Sequence, residues 1–312
     1  MKTARVVLLA LLLPWLELRL RAAEPILPLR TNDVIAFIGG ANMVALAQSG
    51  HLETLLTIRH PHHKLRFRSL AWEGDTVFAQ PRDVNYPDLV TQLKQIGATV
   101  AFVQFGQMES LAGEAGLTNF VRAYEALLDR ISPACPRFIL LRPPSSRSME
   151  DYRYVKGFTA EERAWIQYAE AIRRIAQRQG ISTRMLYEDI FQSAKSHNLP
   201  TDTNLEPTGA SAMYAETDRL RLFSAVFGKD SKDPMINAIA EKNRLWFDYA
   251  RPSNWAFLAG DRTEQAFSRD YRDRNIRAFA QEMQQFLPLI ADAEKRIDEL
   301  AAKAAAEKET TR

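Results

Sequence analysis

Residues 33–43 read DVIAFIGGANM, an unbroken apolar run from Val34 to Ile38 that is stopped by paired glycines. A run this short, rich in β-branched and aromatic side chains, suits a strand buried on both faces. Four further runs of the same kind follow: LRFRSLAW (65–72), TVAFVQFG (99–106), RFILLRP (137–143) and STRMLYED (182–189). Between them apolar residues recur at helical spacing, as Leu89, Leu93 and Ile96, then Phe120, Tyr124, Leu127 and Leu128, then Ile172 and Ile175. Strand alternating with helix predicts right-handed crossovers and a mostly parallel five-stranded sheet between helical layers. Ligand sites in such sheets lie beyond the carboxyl ends of the strands, so the chemistry is sought just after each run.

The ends of the chain differ from this α/β body. MKTAR, then VVLLALLLPWL, then a polar stretch reaching Ala22 and Ala23 has the three parts of a secretory signal peptide, and the apolar run falls short of the roughly 20 residues of a spanning helix. The expectation is export to a secreted or periplasmic location, with residues 1–23 removed and no membrane span left. Residues 24–228 then form the α/β domain. From about 229, after the charged KDSKDP, strand-like runs cease, and residues 229–312 are expected to be a helical extension. Its aromatics Trp246, Phe247, Tyr249, Trp255 and Phe257 predict packing on the α/β domain. A long charged helix is expected from about Arg274 to Lys308, with the last twenty residues solvated and frayed.

Composition excludes several classes. The chain has 312 residues with 41 basic against 38 acidic, a mixed surface that gives no reason to expect nucleic acid. Cys135 is the single cysteine, so no intrachain disulfide can form, and its place between Pro133 and Pro136 reads as a packed residue. No Cys/His spacing resembles a zinc or haem site, and no metal or cofactor is expected. His60, His62 and His63 in RHPHHK lead into the second strand from the amino end of the sheet, opposite the expected site. His51 follows Gly50 and reads as a helix end, whereas His197 lies in the loop preceding residue 204. Oligomeric state cannot be read from the sequence.

Four segments in this order resemble the sequence blocks of the SGNH (GDSL-type) hydrolases. FIGGANM (37–43) stands where that family has FIGDSIT, and SLAWEGDTVFAQPR (69–82) is similar to the stretch carrying the second block's glycine, here Gly74. FGQMES (105–110) takes the place of G-x-N-D, and TDTNLEPTGASAMYAE (201–216) resembles the final D-G-I-H-L-T-P-x-G block. KNRLWF and RPSNWAFLAGDR resemble the C-terminal extension of a planctomycete-like secreted group in that family. The resemblance implies a three-layer, flavodoxin-like α/β/α fold and an ancestral activity on acyl esters of carbohydrates. It also implies that serine attacks the ester while histidine removes its proton, and that backbone amides and an asparagine hold the oxyanion. Here the nucleophile position is Ala41, the amide position Met108 and the base position Asn204. Alanine has no nucleophile, and an asparagine amide cannot act as the proton acceptor. The backbone donors at Ala41 and Gly74 remain.

Polar residues gathered at the strand ends are Asn42, Glu73, Asp75, Gln107, Glu109, Ser110, Arg142 and Asn204. Glu109 and Asp75 are the candidate catalytic carboxylates, able in principle to activate water. Ala41, Asn42, Gly74, Gln107 and Asn204 are the candidate binding residues. The alternative reading makes Glu73 and Asp75 turn caps and Glu109 the start of a helix. Three functions follow: a hydrolase-like protein of altered or lost activity that binds a small-molecule or carbohydrate ligand, an active esterase rebuilt on carboxylates, or a scaffold whose extension docks a partner.

Overall fold

The computed structural model describes residues 29–143, 159–185 and 234–310. The signal segment, the boundary at 228/229, His197 and Asn204 lie outside the described residues. Among those described, β1 (Val34–Gly39), β2 (Arg66–Ser69), β3 (Val100–Gln104), β4 (Phe138–Arg142) and β5 (Ser182–Met185) form one sheet, ordered β2-β1-β3-β4-β5. Every pairing is parallel, so the expected sheet is present with its five strands. This order is that of the flavodoxin-like doubly wound fold, whose chain reversal falls between β1 and β3.

The period-2 alternation of the strands assigns side chains to two layers. Ile35, Phe37, Val100, Phe102, Ile139 and Leu141 bury against α1 (Ala41–Ser49) and α2 (His51–Arg59). Ala36, Ile38, Ala101, Val103 and Leu140 bury against α3 (Leu89–Gln95), α4 (Gly113–Ile131) and α5 (Ala160–Gln179). Local sequence starts these helices where it should. Asp88 accepts from the Thr91 N–H at 2.8 Å at the head of α3, and Thr159 and Glu162 form a capping box on α5. At Gly50, φ is +68°, which lets α1 end and α2 begin within one residue. Cys135 is fully buried, and burial pushes its thiol up to about 11, consistent with a packed residue.

The C-terminal part holds α6 (Pro234–Ala250), α7 (Trp255–Leu258), α8 (Ala278–Gln284) and α9 (Phe286–Thr310). The single helix expected from Arg274 is two helices. Pro288 has no N–H to give the Gln284 carbonyl four residues back, and its ring crowds that carbonyl, so the helix breaks at Gln285 and restarts with proline in its first turn. The expectation of a solvated end is also corrected in part. Ile297 and Ala301 are buried against Met235, Ala238 and Ile239 of α6, and α9 stays helical to Thr310.

These helices cover the outer edge of β2. Arg66 and Leu70 donate backbone N–H groups to Asp33 and Phe37, so the alternate residues Phe67 and Ser69 turn their backbone groups away from β1. The Ser69 carbonyl accepts from Trp246 Nε1 at 2.9 Å, and the Phe67 carbonyl accepts from Lys242 Nζ at 3.4 Å. Arg66 reaches over to pair with Asp298 at 2.7 Å and Glu294 at 3.3 Å. An open strand edge is a template for foreign strands, and here it is closed by side chains of the same chain.

Candidate functional site

The first loop at the carboxyl ends is shaped by two glycines. Gly39 has φ +156°, and a Cβ there would lie 2.4 Å from the Gln104 carbonyl oxygen and 2.5 Å from Met43 Cγ. No other residue fits without moving β3 or α1. A Cβ on Gly40 would lie 2.9 Å from the Asp75 carbonyl oxygen, so the loops after β1 and β2 meet backbone to backbone. Trp72 N–H also donates to the Gly39 carbonyl at 3.2 Å. Ala41 is exposed as the first residue of α1, and Gly40 offers that helix no side-chain cap. Met43 and Val44 N–H donate to the Gly40 carbonyl at 3.0 and 3.2 Å, so of the first-turn amides those of Ala41 and Asn42 are the two that precede the helix's own hydrogen bonds. Gly74 is exposed, and a Cβ there would meet nothing within 4 Å, so packing does not explain its glycine.

The structure brings two predicted binding residues together. Asn42 Nδ2 donates to Gln107 Oε1, joining the start of α1 to the turn after β3 across the chain-reversal point of the sheet. Both side chains are half-buried. In the same turn Ser110 Oγ donates to the Gln107 carbonyl at 2.7 Å, which uses the hydroxyl to close the turn. On the loops after β2 and β3, Phe78, Met108 and Leu111 are 51%, 58% and 56% exposed.

Both candidate carboxylates have structural partners. Glu109 is buried at the start of the 3₁₀ turn Glu109–Ala112, where Oε1 accepts from the Val77 N–H and Oε2 from the Gly106 N–H, each at 2.7 Å. It straps the loop after β2 to the loop after β3. Neither capping nor catalysis anticipates this bond to a residue 32 positions away. Asp75 is held by both arms of Arg82 at 2.6 and 2.8 Å, and its N–H donates to Trp72. Burial pushes its carboxyl above the ordinary value, with the Arg82 guanidinium opposing the shift.

Sequence reasoning missed the two arginines that organise this corner. Arg82 and Arg251 lie over the Trp72 ring at 4.6 and 4.3 Å, and Arg251 also pairs with Glu73 at 2.7 Å. Burial alone would raise the Glu73 carboxyl, but the Arg251 hydrogen bond, a backbone hydrogen bond and the Arg251 charge together outweigh it and hold it low. Tyr86 continues the cluster, its ring 4.6 Å from that of Trp255 and its hydroxyl donating to the Ala250 carbonyl. RPSNW carried part of the signal as an aromatic segment, but nothing local pairs Arg251 with a tryptophan 179 residues earlier.

Arg142 ends β4, half-buried, its carbonyl accepting from Gln104 Nε2 at 3.4 Å. His60 and His63 stack with centroids 4.8 Å apart before β2, on the amino-end side of the sheet. Among the described residues no set of three His, Cys, Asp or Glu is placed to hold a metal, and no helix is long and apolar enough to cross a membrane.

No protein-family model and no curated protein matches the chain. Solved structures similar to it include Axe2, an acetylxylan esterase from Geobacillus stearothermophilus, at 13% identity, covering 62% of this chain and 95% of that one with a TM-score of 0.38. LAE5, an α/β hydrolase enzyme from the metagenome of Lake Arreo, Spain, is 15% identical over 63% of this chain and 97% of its own, with a TM-score of 0.37. A gut microbial diltiazem-metabolizing enzyme, BT4096, is 16% identical over 65% of this chain and 48% of its own, with a TM-score of 0.40. None of these likenesses reaches the level at which a shared family or activity follows.

Proposed function

We propose that the protein is a secreted, SGNH-type hydrolase-like scaffold that binds an acylated carbohydrate at the carboxyl ends of its strands without serine-hydrolase chemistry. The observation that carries this reading is the Asn42–Gln107 contact next to exposed Ala41, on a loop that meets the backbone of Glu73 and Asp75, the two neighbours of exposed Gly74. On this reading their side chains and amides offer donors and acceptors to a ligand, and the exposed Phe78, Met108 and Leu111 on the loops after β2 and β3 offer apolar surface. A sugar hydroxyl and an acyl group need that mixture. Glu109 and Asp75 are committed to backbone amides and to Arg82, which favours recognition over acid–base work. On this reading Ala41 and Asn204 stand at the family's nucleophile and base positions, and the inherited cleft has kept its backbone donors.

The test is a panel of O-acetylated and deacetylated oligosaccharides, followed both for binding and for release of acetate. The expected outcome is saturable binding of acetylated members, no acetate release, and no covalent labelling by a fluorophosphonate. Stoichiometric labelling of any serine, or acetate release that disappears in Glu109→Gln, would instead establish an active esterase with a rebuilt centre. Absence of binding across the panel would sink the recognition reading.

A further inference from the structure

The turn after β3 has its polarity reversed. Over residues 108–112 the polar side chains are inside and the apolar ones outside: Glu109 and Ser110 are 6% and 8% exposed, Met108 and Leu111 58% and 56%, and Ala112 is exposed as well. One exposed apolar residue on a surface is ordinary, whereas a turn that buries its polar residues and presents its apolar ones calls for a reason. Glu109 supplies it for the buried half, since its carboxylate takes the Val77 and Gly106 N–H groups, and Ser110 Oγ closes the turn on the Gln107 carbonyl. The exposed side chains take no part in those bonds. The Leu111 N–H donates to the Met108 carbonyl at 3.2 Å, and side chains three residues apart in a 3₁₀ turn eclipse one another, so Met108 and Leu111 stand side by side.

We propose that Met108 and Leu111 form a platform for the acyl chain of the ligand, so that the site prefers medium-chain acyl groups to acetyl. This rests on the acyl-carbohydrate reading and adds the class of acyl group. Gln107, whose side chain meets Asn42, immediately precedes Met108, so a ligand held by its polar part at that contact meets apolar surface one residue further on. Neither a thioether nor an isobutyl group donates a hydrogen bond, and methionine adapts its shape to a flexible alkyl chain. A 3₁₀ turn rises ~2 Å per residue, so Met108 and Leu111 span ~6 Å, about the length of an extended hexanoyl chain and well beyond an acetyl methyl. The extent of the platform also argues for an alkyl chain rather than a protein, whose stable interfaces take roughly 20–30 residues a side. Because the Glu109 strap already fixes the backbone of the turn, little further ordering opposes binding.

The experiment titrates the full chain, by calorimetry, with one oligosaccharide carrying a single acetyl, butyryl, hexanoyl or octanoyl ester. Full burial of a methylene strengthens binding roughly fourfold, and a one-sided platform should give about half that free energy, so affinity is expected to rise about twofold per methylene as far as hexanoyl and then level off. Leu111→Ser and Met108→Gln should each lower the hexanoyl-to-acetyl affinity ratio about threefold, with the thermal midpoint of each variant confirming that it folds. Phe267→Ser is the control for indiscriminate adhesion: its side chain is 80% exposed in the C-terminal part, and its loss should leave the ratio unchanged. Equal affinity for acetyl and hexanoyl esters would overturn the platform while leaving the recognition reading in place. So would a ratio untouched by both Leu111→Ser and Met108→Gln, or one lowered as much by Phe267→Ser as by either. Failure of every ester to bind would overturn the recognition reading, and the platform with it.

Discussion

The outer edge of β2 and the carboxyl ends of the same sheet are both dense in polar side chains, yet the two regions spend them differently. At the edge, charge is buried inside protein: Lys242 is 0% exposed, and it pairs with Glu53 at 2.8 Å and with the Asn243 side chain at 2.6 Å. Burial moves the two titrations toward each other, raising the Glu53 carboxyl and lowering the Lys242 ammonium. At the strand ends, Asn42 and Gln107 are half-buried and Ala41 and Gly74 exposed. Polar groups fully matched within the chain specify how its parts dock, whereas polar groups left facing solvent are available to a ligand.

The largest effect expected from this contrast is at Lys242. Replacing it by methionine leaves Glu53 buried without its cation and should cost about 3–5 kcal/mol in urea unfolding. The double variant Lys242→Met with Glu53→Leu should recover most of that loss, because removing both charges also removes their desolvation penalty. A double variant as unstable as the single one would mean that the pair is not what secures α6.

Next in size is Glu109→Gln. The amide keeps one acceptor for Val77 or Gly106 but turns an NH₂ toward the other N–H, so one buried donor loses its partner at a cost of about 1–3 kcal/mol. A stability change below about 0.5 kcal/mol, the range of an ordinary surface substitution, would show that the strap between the two loops contributes little.

The comparison also separates what sequence reveals from what it conceals. The sheet was legible because its strands are buried on both faces and so read as apolar runs, and even LRFRSLAW carried Phe67 and Leu70 into the core. The docking of the C-terminal part was legible only through its aromatics. Lys242 was not, since a lysine within a helical stretch reads as solvated, and its partner is 189 residues away. Glu109 was legible as a residue of the strand ends but not as a strap, because its acceptor role depends on where the loop after β2 returns. Pro288 was visible in the sequence, and its missing N–H could have divided the long C-terminal helix.

A smaller, pH-dependent effect belongs to the amino end of the sheet. The Asp33 carboxylate accepts from the Arg30 N–H, the Thr99 hydroxyl and Arg137 at 2.6, 2.7 and 2.7 Å. Burial alone would raise its carboxyl, but these bonds together hold it below the ordinary 3.8. A depressed acid binds fewer protons folded than unfolded, so its contribution is complete above that ordinary value and fades as pH falls through the lower folded value. Asp33→Asn should therefore cost about 1–2 kcal/mol at pH 7 and progressively less below pH ~4. A stability gap that does not change between neutral and acidic pH would contradict this assignment.

The smallest stability effect is expected where the function is placed. Asn42 and Gln107 share one half-buried hydrogen bond between neutral groups, and such a bond contributes about 0.5–1.5 kcal/mol at most when solvent can replace it. Asn42→Ala and Gln107→Ala should each lower stability by less than about 1 kcal/mol, and the double variant should cost less than their sum, since each single change already breaks the shared bond. Binding of an acetylated oligosaccharide should respond in the opposite order, being weakened far more than folding by either change. Stability and binding that fall together, in proportion across the three variants, would mean that the pair serves the fold as the β2 edge does. The division between the two regions would then disappear.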